Sequence, residues 1–108
     1  MGRQRRIIIP GTTHSVSRRT TRRYFLFTPD TQRRVERSFW YTLAWTAQKH
    51  GVVVHTAVLM STHIHYVATD VRGVMPLFKQ EFHRLFAQCV KAIRGWPEEV
   101  FNKAQSGD

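Results

Sequence analysis

Met60-Ser61-Thr62-His63-Ile64-His65-Tyr66-Val67-Ala68-Thr69 is the stretch on which the reading of this chain turns. Two histidines sit two apart, with an aliphatic residue between them, in a β-favouring run. In a strand, residues i and i+2 share a face. His63 and His65 therefore present two imidazoles side by side, while Ile64 and Tyr66 face the other way. Two neutral imidazoles on one face are half of a divalent-metal site. An ordinary pair of surface histidines satisfies the same spacing, so the flanking chain has to decide between them.

Working upstream, residues 52–60 (Val-Val-Val-His-Thr-Ala-Val-Leu-Met) read as a strand, apolar enough to be expected at the centre of a sheet. A turn at Ser61-Thr62 joins it to a strand over residues 62–69, and this hairpin sets the histidines near its tip. Before it, Thr28-Pro29-Asp30 carries helix-start signals: a hydroxyl cap, a proline for the first helical position and an acid for the dipole. The helix is expected to run to Lys49 or His50, with Gly51 as its left-handed stop. Val35, Phe39, Leu43 and Ala47 form its apolar stripe, widened by Trp40 and Ala44, and Arg33, Arg34, Arg37 and Lys49 lie outside. Residues 12–18, rich in Thr, Ser and Val, read as the first strand.

Downstream, residues 70–74 read as a loop. A second helix is expected from Pro76 to about Arg94, stopped by Gly95. Phe78, Phe82, Leu85, Phe86, Cys89 and Ile93 keep helical spacing on one face. Lys79, Gln80, His83, Arg84, Gln88, Lys91 and Arg94 occupy the other. Val100-Phe101 is a candidate edge strand. The order is β-α-β-β-α-(β), the ferredoxin-like α+β plan: an antiparallel sheet with both helices on one face and the other face open.

The 108 residues make one domain, with residues 1–10 as a basic flexible arm. A composition of 42% apolar residues supports a core, and no apolar run approaches the length that spans a membrane. One cysteine, Cys89, excludes a disulfide framework and a thiolate metal cluster. A reduced, cytoplasmic setting is expected. Seventeen Lys and Arg against seven Asp and Glu give a net charge of +10, which points to a polyanion, most simply nucleic acid. Arg18, Arg19, Arg22 and Arg23, interleaved with Thr20 and Thr21, form a candidate phosphate-contact loop. His14 on the first strand and Arg84 on the second helix are further DNA-contact candidates.

With these elements in place, the chain resembles the HUH single-tyrosine transposases. These comprise the insertion-sequence enzymes that act on single-stranded DNA and their relatives, the REP-associated tyrosine transposases. Ser61-Thr62-His63-Ile64-His65 after Met60 resembles their M-P-N-H-x-H segment. Gly11-Thr-Thr-His14-Ser-Val16-Ser-Arg18 resembles their first-strand pattern, G-x-x-H-V-x-x-R. Residues 23–27 and 96–101 resemble the segments leading into the first helix and the fourth strand. The resemblance implies a Mg²⁺ or Mn²⁺ ion on His63, His65 and a third polar ligand. It also implies a single-stranded or hairpin DNA substrate, a homodimer, and a tyrosine nucleophile on a later helix.

Two departures bear on this. Ser-Thr replaces the family's Pro-Asn, and no tyrosine beyond Tyr66 follows the triplet. No nucleophile is therefore identified. The resemblance implies metal-dependent cleavage and transfer of DNA strands, while the chain is expected to stop before the tyrosine helix, which would leave it deficient in cleavage. For the third ligand, His55 on the neighbouring strand is the first candidate, with His83 and Gln80 behind it. Two other readings stay open. One is a non-catalytic nucleic-acid-binding module, DNA- or RNA-directed, on the same sheet. The other is a hydrolytic metalloenzyme, which the lack of carboxylates near the triplet disfavours.

Overall fold

The computed structural model describes residues 9–102. Residues 1–8 of the expected basic arm lie outside them. The chain runs β1 (Thr12–Arg19), a 3-10 turn (Thr21–Arg23), α1 (Arg34–His50), β2 (Val52–Leu59), β3 (His63–Asp70) and α2 (Met75–Arg94). The strands form one antiparallel sheet in the order β1-β3-β2. The fourth strand is reduced to one antiparallel bridge, Thr20 to Phe101, that prolongs the free edge of β1. Thr21 N–H donates to the Val100 carbonyl and Asn102 N–H to the Arg19 carbonyl. This is the ferredoxin-like plan expected from the element order.

The central strand is β3, which corrects the expectation that the valine-rich β2 lies in the middle. Val53 and Val58 pair with Thr69 and His65 and stay exposed on the open face, so the apolar run of β2 does not mean burial on both sides. Along β3, burial alternates without a break. Ile64, Tyr66, Ala68 and Asp70 are buried, and His63, His65, Val67 and Thr69 are half-buried. The buried row meets Phe39 and Leu43 of α1 and Phe78, Phe82, Phe86 and Val90 of α2. Tyr66 packs edge-on against Phe78 and Phe82. Each of the four phenylalanines is fully buried, and each contributes roughly 1.5–3 kcal/mol.

Both helices differ in detail from their periodicity. α1 starts at Arg34 rather than at Thr28. Thr28 donates its hydroxyl to the Phe25 carbonyl instead of capping. Asp30 is the working cap, accepting from Val35 N–H at 2.9 Å across a left-handed Arg33. The buried stripe of α1 is widened by Thr42 and Thr46, whose hydroxyls return to carbonyls of the preceding turn. Trp40 and Ala44 point to solvent.

On α2, Lys79 and His83 are buried, not on a solvated face. Leu85 and Cys89 lie half-buried at the flank towards α1. The expected loop at Asp70 is instead the end of β3. Its fully buried carboxylate accepts from Val74 N–H at 2.9 Å and Met75 N–H at 2.7 Å, so it caps α2 from the sheet. Gly51 and Gly95 close the helices at φ of 68° and 63°, as expected.

Candidate nucleic-acid and metal face

The open face of the sheet is built from alternate residues of three strands. Paired residues in an antiparallel ladder share a face. Thr13, Ser15, Ser17 and Arg19 of β1 therefore stand opposite Thr69, Val67, His65 and His63 of β3. No Phe, Tyr or Trp side chain belongs to this row. Tyr66 projects through the sheet into the core, as strand alternation requires.

His63 and His65 stand together on this face. Ser17 Oγ lies 2.7 Å from His65 Nδ1. A metal-bound histidine commonly donates its second ring N–H to an oxygen, which fixes the tautomer and the ring plane. Ser17 stands where such an oxygen would, and with Nδ1 engaged there, Nε2 is the His65 nitrogen open to an ion. His63 lines a cleft of about 350 Å³ with Ser17, Thr62, Arg19 and Arg23. Ser17 thus touches both histidines' surroundings, and sequence reading had not singled it out.

The turn after β1 aims the arginines. Arg22 and Arg23 are non-glycine residues at φ of 51° and 58°. Left-handed backbone costs roughly 1–2 kcal/mol per residue, and such strain is characteristic of functional turns. Two successive kinks bring Arg23 to the cleft that holds His63. Arg22 is exposed, and its pKa is raised by the hydrogen bond it makes to the Tyr24 side chain.

The expected DNA contacts divide between the two sides of β1. Arg19 and Arg23 line the histidine cleft. His14 and Arg18 alternate with them towards the helices. Arg18 donates to His83 Nδ1 at 3.1 Å and to the Asn102 carbonyl at 3.2 Å, and its guanidinium lies 4.7 Å from the Phe101 ring centroid. Burial lowers its pKa against a smaller opposing effect of Tyr66. Arg84 lies on α2, remote from the histidines' face, and borders the same region as Arg18.

The candidates for a third ligand do not join the pair. His55 sits at the irregularity in β2 between Val54 and Thr56, and its Nε2 meets Thr69 Oγ1 at 2.7 Å. Thr69 is four residues along β3 from His65, roughly 13 Å at the rise of a strand. His83 is behind the sheet, with Nε2 2.9 Å from the Tyr66 hydroxyl. Because Arg18 can only donate, His83 Nδ1 accepts and its proton resides on Nε2. Burial first, then the charges of Arg18 and Lys79, pushes the His83 pKa down to about 3. Gln80 lines the cleft beside α2. Among the described residues, no cluster of three or more His, Cys, Asp or Glu side chains could hold a metal ion. Two imidazoles with one backing oxygen fit an ion whose remaining ligands are phosphate oxygens or water.

Of the tyrosines, Tyr66 is buried and Tyr41 is exposed on α1. Tyr24 packs edge-on against Trp96. None of them lines the histidine cleft. No described helix is long and apolar enough to cross a membrane.

Comparison with solved structures shows what fold this is. A REP-associated tyrosine transposase bound to a REP hairpin superposes with a TM-score of 0.69 at 18% identity. The match covers 95% of this chain and 58% of that one. A candidate transposase from Deinococcus radiodurans R1 superposes with a TM-score of 0.67 at 15% identity, covering 94% and 81%. The chain thus spans under two thirds of the first of these proteins. No family model matches the sequence, and no curated protein matches it either. The fold is the transposase-like one.

Proposed function

We propose that the chain is a transposase-type DNA-binding domain. It binds single-stranded or hairpin DNA across the open face of its sheet, with a divalent ion held by His63 and His65. The observation that carries this reading is the cleft itself. Two imidazoles share one face of the central strand, one backed by Ser17, with Arg19 and Arg23 at the same opening. Arginine's planar fork suits phosphate, and an ion on the imidazoles would polarise a phosphate oxygen held beside it. Like charge +10, the fold match to a protein bound to a REP hairpin supports DNA as the polyanion.

The chain's own side chains bind and orient the strand, and Ser17 holds the ring of His65. Strand cleavage by a tyrosine is not part of the role proposed for this chain, since its tyrosines lie away from the cleft. Base-stacking recognition of RNA on the sheet is disfavoured, because the open-face row contains no Phe, Tyr or Trp and its two histidines are assigned to the ion.

The test is calorimetric titration of Mn²⁺, followed by anisotropy of a labelled hairpin oligonucleotide with and without Mn²⁺. Imidazole is a poorer partner for Mg²⁺, which favours oxygen ligands, so Mn²⁺ is the informative ion. Wild type is expected to bind Mn²⁺ and to hold DNA more tightly in its presence. His63→Ala and His65→Ala are expected to lose both effects. Unchanged Mn²⁺ binding in the two variants would remove the metal from the proposal.

A further inference from the structure

A second cleft, of about 610 Å³, lies on the far side of β1 from the histidines, between α2 and the segment that bridges to Thr20. Its volume is within the range of pockets that hold small ligands. Phe101, Val100 and Ala87 give it an apolar floor, and Arg84 and Lys91 stand at its rim, with one carboxylate, Glu99, also lining it and Glu81 4.0 Å from Arg84. Arg18 completes the cationic side. Its hydrogen bonds go to a ring nitrogen and a carbonyl, so they fix the guanidinium without neutralising it. His83, 5% exposed, holds the inner end of Arg18 and is itself held by Tyr66. A positive charge fixed against an aromatic floor is thus built into the core.

We propose that this cleft takes one unpaired nucleotide of a DNA single strand, its base beside Ala87 and against the Arg18 guanidinium that lies over Phe101, and its phosphate against Arg84 and Lys91. The inference rests on the nucleic-acid reading of the open face and adds a second contact on the opposite side of β1. A nucleotide matches both halves of the cleft: a flat apolar group for the floor and a charge for the rim. An acidic peptide would satisfy only the rim.

The experiment uses the whole chain and a short fluorescein-labelled single strand, read by anisotropy. A second probe is the same strand with its bases removed, leaving the sugar-phosphate chain. Ala87→Phe fills the floor and leaves the charges untouched. It is expected to weaken the normal strand by roughly tenfold, the scale of one lost base stack, and to leave the abasic strand unaffected. The double variant Arg84→Ala/Lys91→Ala keeps the floor and provides an independent test. It is expected to reduce the slope of log affinity against log salt by about one unit. Circular dichroism establishes that the variants are folded.

If wild type binds and Ala87→Phe binds equally well, or weakens both probes alike, the cleft is not a base site, and the reading of the histidine face is untouched. Equal loss of the labelled strand to poly-glutamate and to unlabelled DNA would also overturn it. If wild type binds neither probe, the nucleic-acid reading itself fails.

Discussion

Ser17→Ala is the substitution that most directly separates a metal site from a pair of surface histidines. The change deletes one oxygen, 2.7 Å from His65 Nδ1, and nothing else in the cleft. In the folded apo chain the lost contact is a half-buried neutral hydrogen bond, worth about 0.5–1.5 kcal/mol. If an ion sits on Nε2, the same oxygen fixes the tautomer and the ring plane, and losing such a support costs about 10–100-fold in metal affinity. A tenfold loss is about 1.4 kcal/mol, so the two magnitudes meet near tenfold, and tenfold is the expected result. Calorimetric Mn²⁺ titration of wild type and Ser17→Ala reads it directly. Ser15→Ala, one row away opposite Val67, is the control and should bind as wild type does. Affinity within twofold of wild type in Ser17→Ala would refute the reasoning, because His65 would then not be oriented for a ligand.

Three further outcomes follow from the packing. His83 has its pKa pushed from 6.5 to about 3 by burial and by Arg18 and Lys79. Below pH 6.5 the unfolded chain takes up a proton that the folded chain refuses, so its stabilising effect is lost as pH falls from 6.5 towards 3. At pH 5 the loss is about 2 kcal/mol relative to neutral pH, and a urea midpoint that is as acid-sensitive in His83→Gln as in wild type would contradict this. Asp30 titrates in a lower window, its pKa held at about 2 chiefly by the Val35 N–H bond, so its stabilising effect is still present at pH 5 and is lost only as pH falls from about 4 towards 2. Asp70→Asn leaves one of two buried amides facing a donor and should cost about 2 kcal/mol, read as reduced thermal stability; an unchanged midpoint would mean that α2 is not capped from the sheet. Gly51→Ala meets a φ of 68° and places a methyl 2.7 Å from Arg72 Nε. It should cost about 1 kcal/mol, with the flexible Arg72 side chain moving aside, and a stabilised variant would exclude the left-handed stop.

Much of the candidate site was readable from local rules. Same-face placement of His63 and His65, and the inward turn of Tyr66, need only the period of a strand. No partner strand enters that inference. What could not be read required register between distant segments. Ser17 and His65 are brought together by the pairing of β1 with β3, 48 residues apart. The central position of β3 was hidden because Val53 and Val58 look like core residues and are surface residues of β2. The start of α1 was misplaced for a different reason. Asp30 is a cap, but the left-handed Arg33 inserts a turn between it and the helix.

The same residue type meets opposite fates on the two faces of one sheet, and this gives the site its logic. His83 lies on a helix among charged neighbours and reads as a solvated side chain, yet Tyr66 brings a hydroxyl into the core that needs a partner there. His83 supplies it, then secures Arg18, and is kept neutral by the cost of burial. His65 is the immediate chain neighbour of Tyr66, so alternation sends it to the open face, where its partner is the hydroxyl of Ser17. The chain Tyr66–His83–Arg18 therefore anchors both β3 and β1 from below, next to the residues that carry His65 and Ser17 above. A substitution that loosens the lower chain should shift the register on which the upper pair depends. His83→Ala is expected to weaken Mn²⁺ binding although it lies on the wrong side of the sheet to touch an ion, whereas His83→Gln, which can still bridge Tyr66 and Arg18, should restore it. Equal Mn²⁺ affinity in His83→Ala and wild type would show that the two faces are independent.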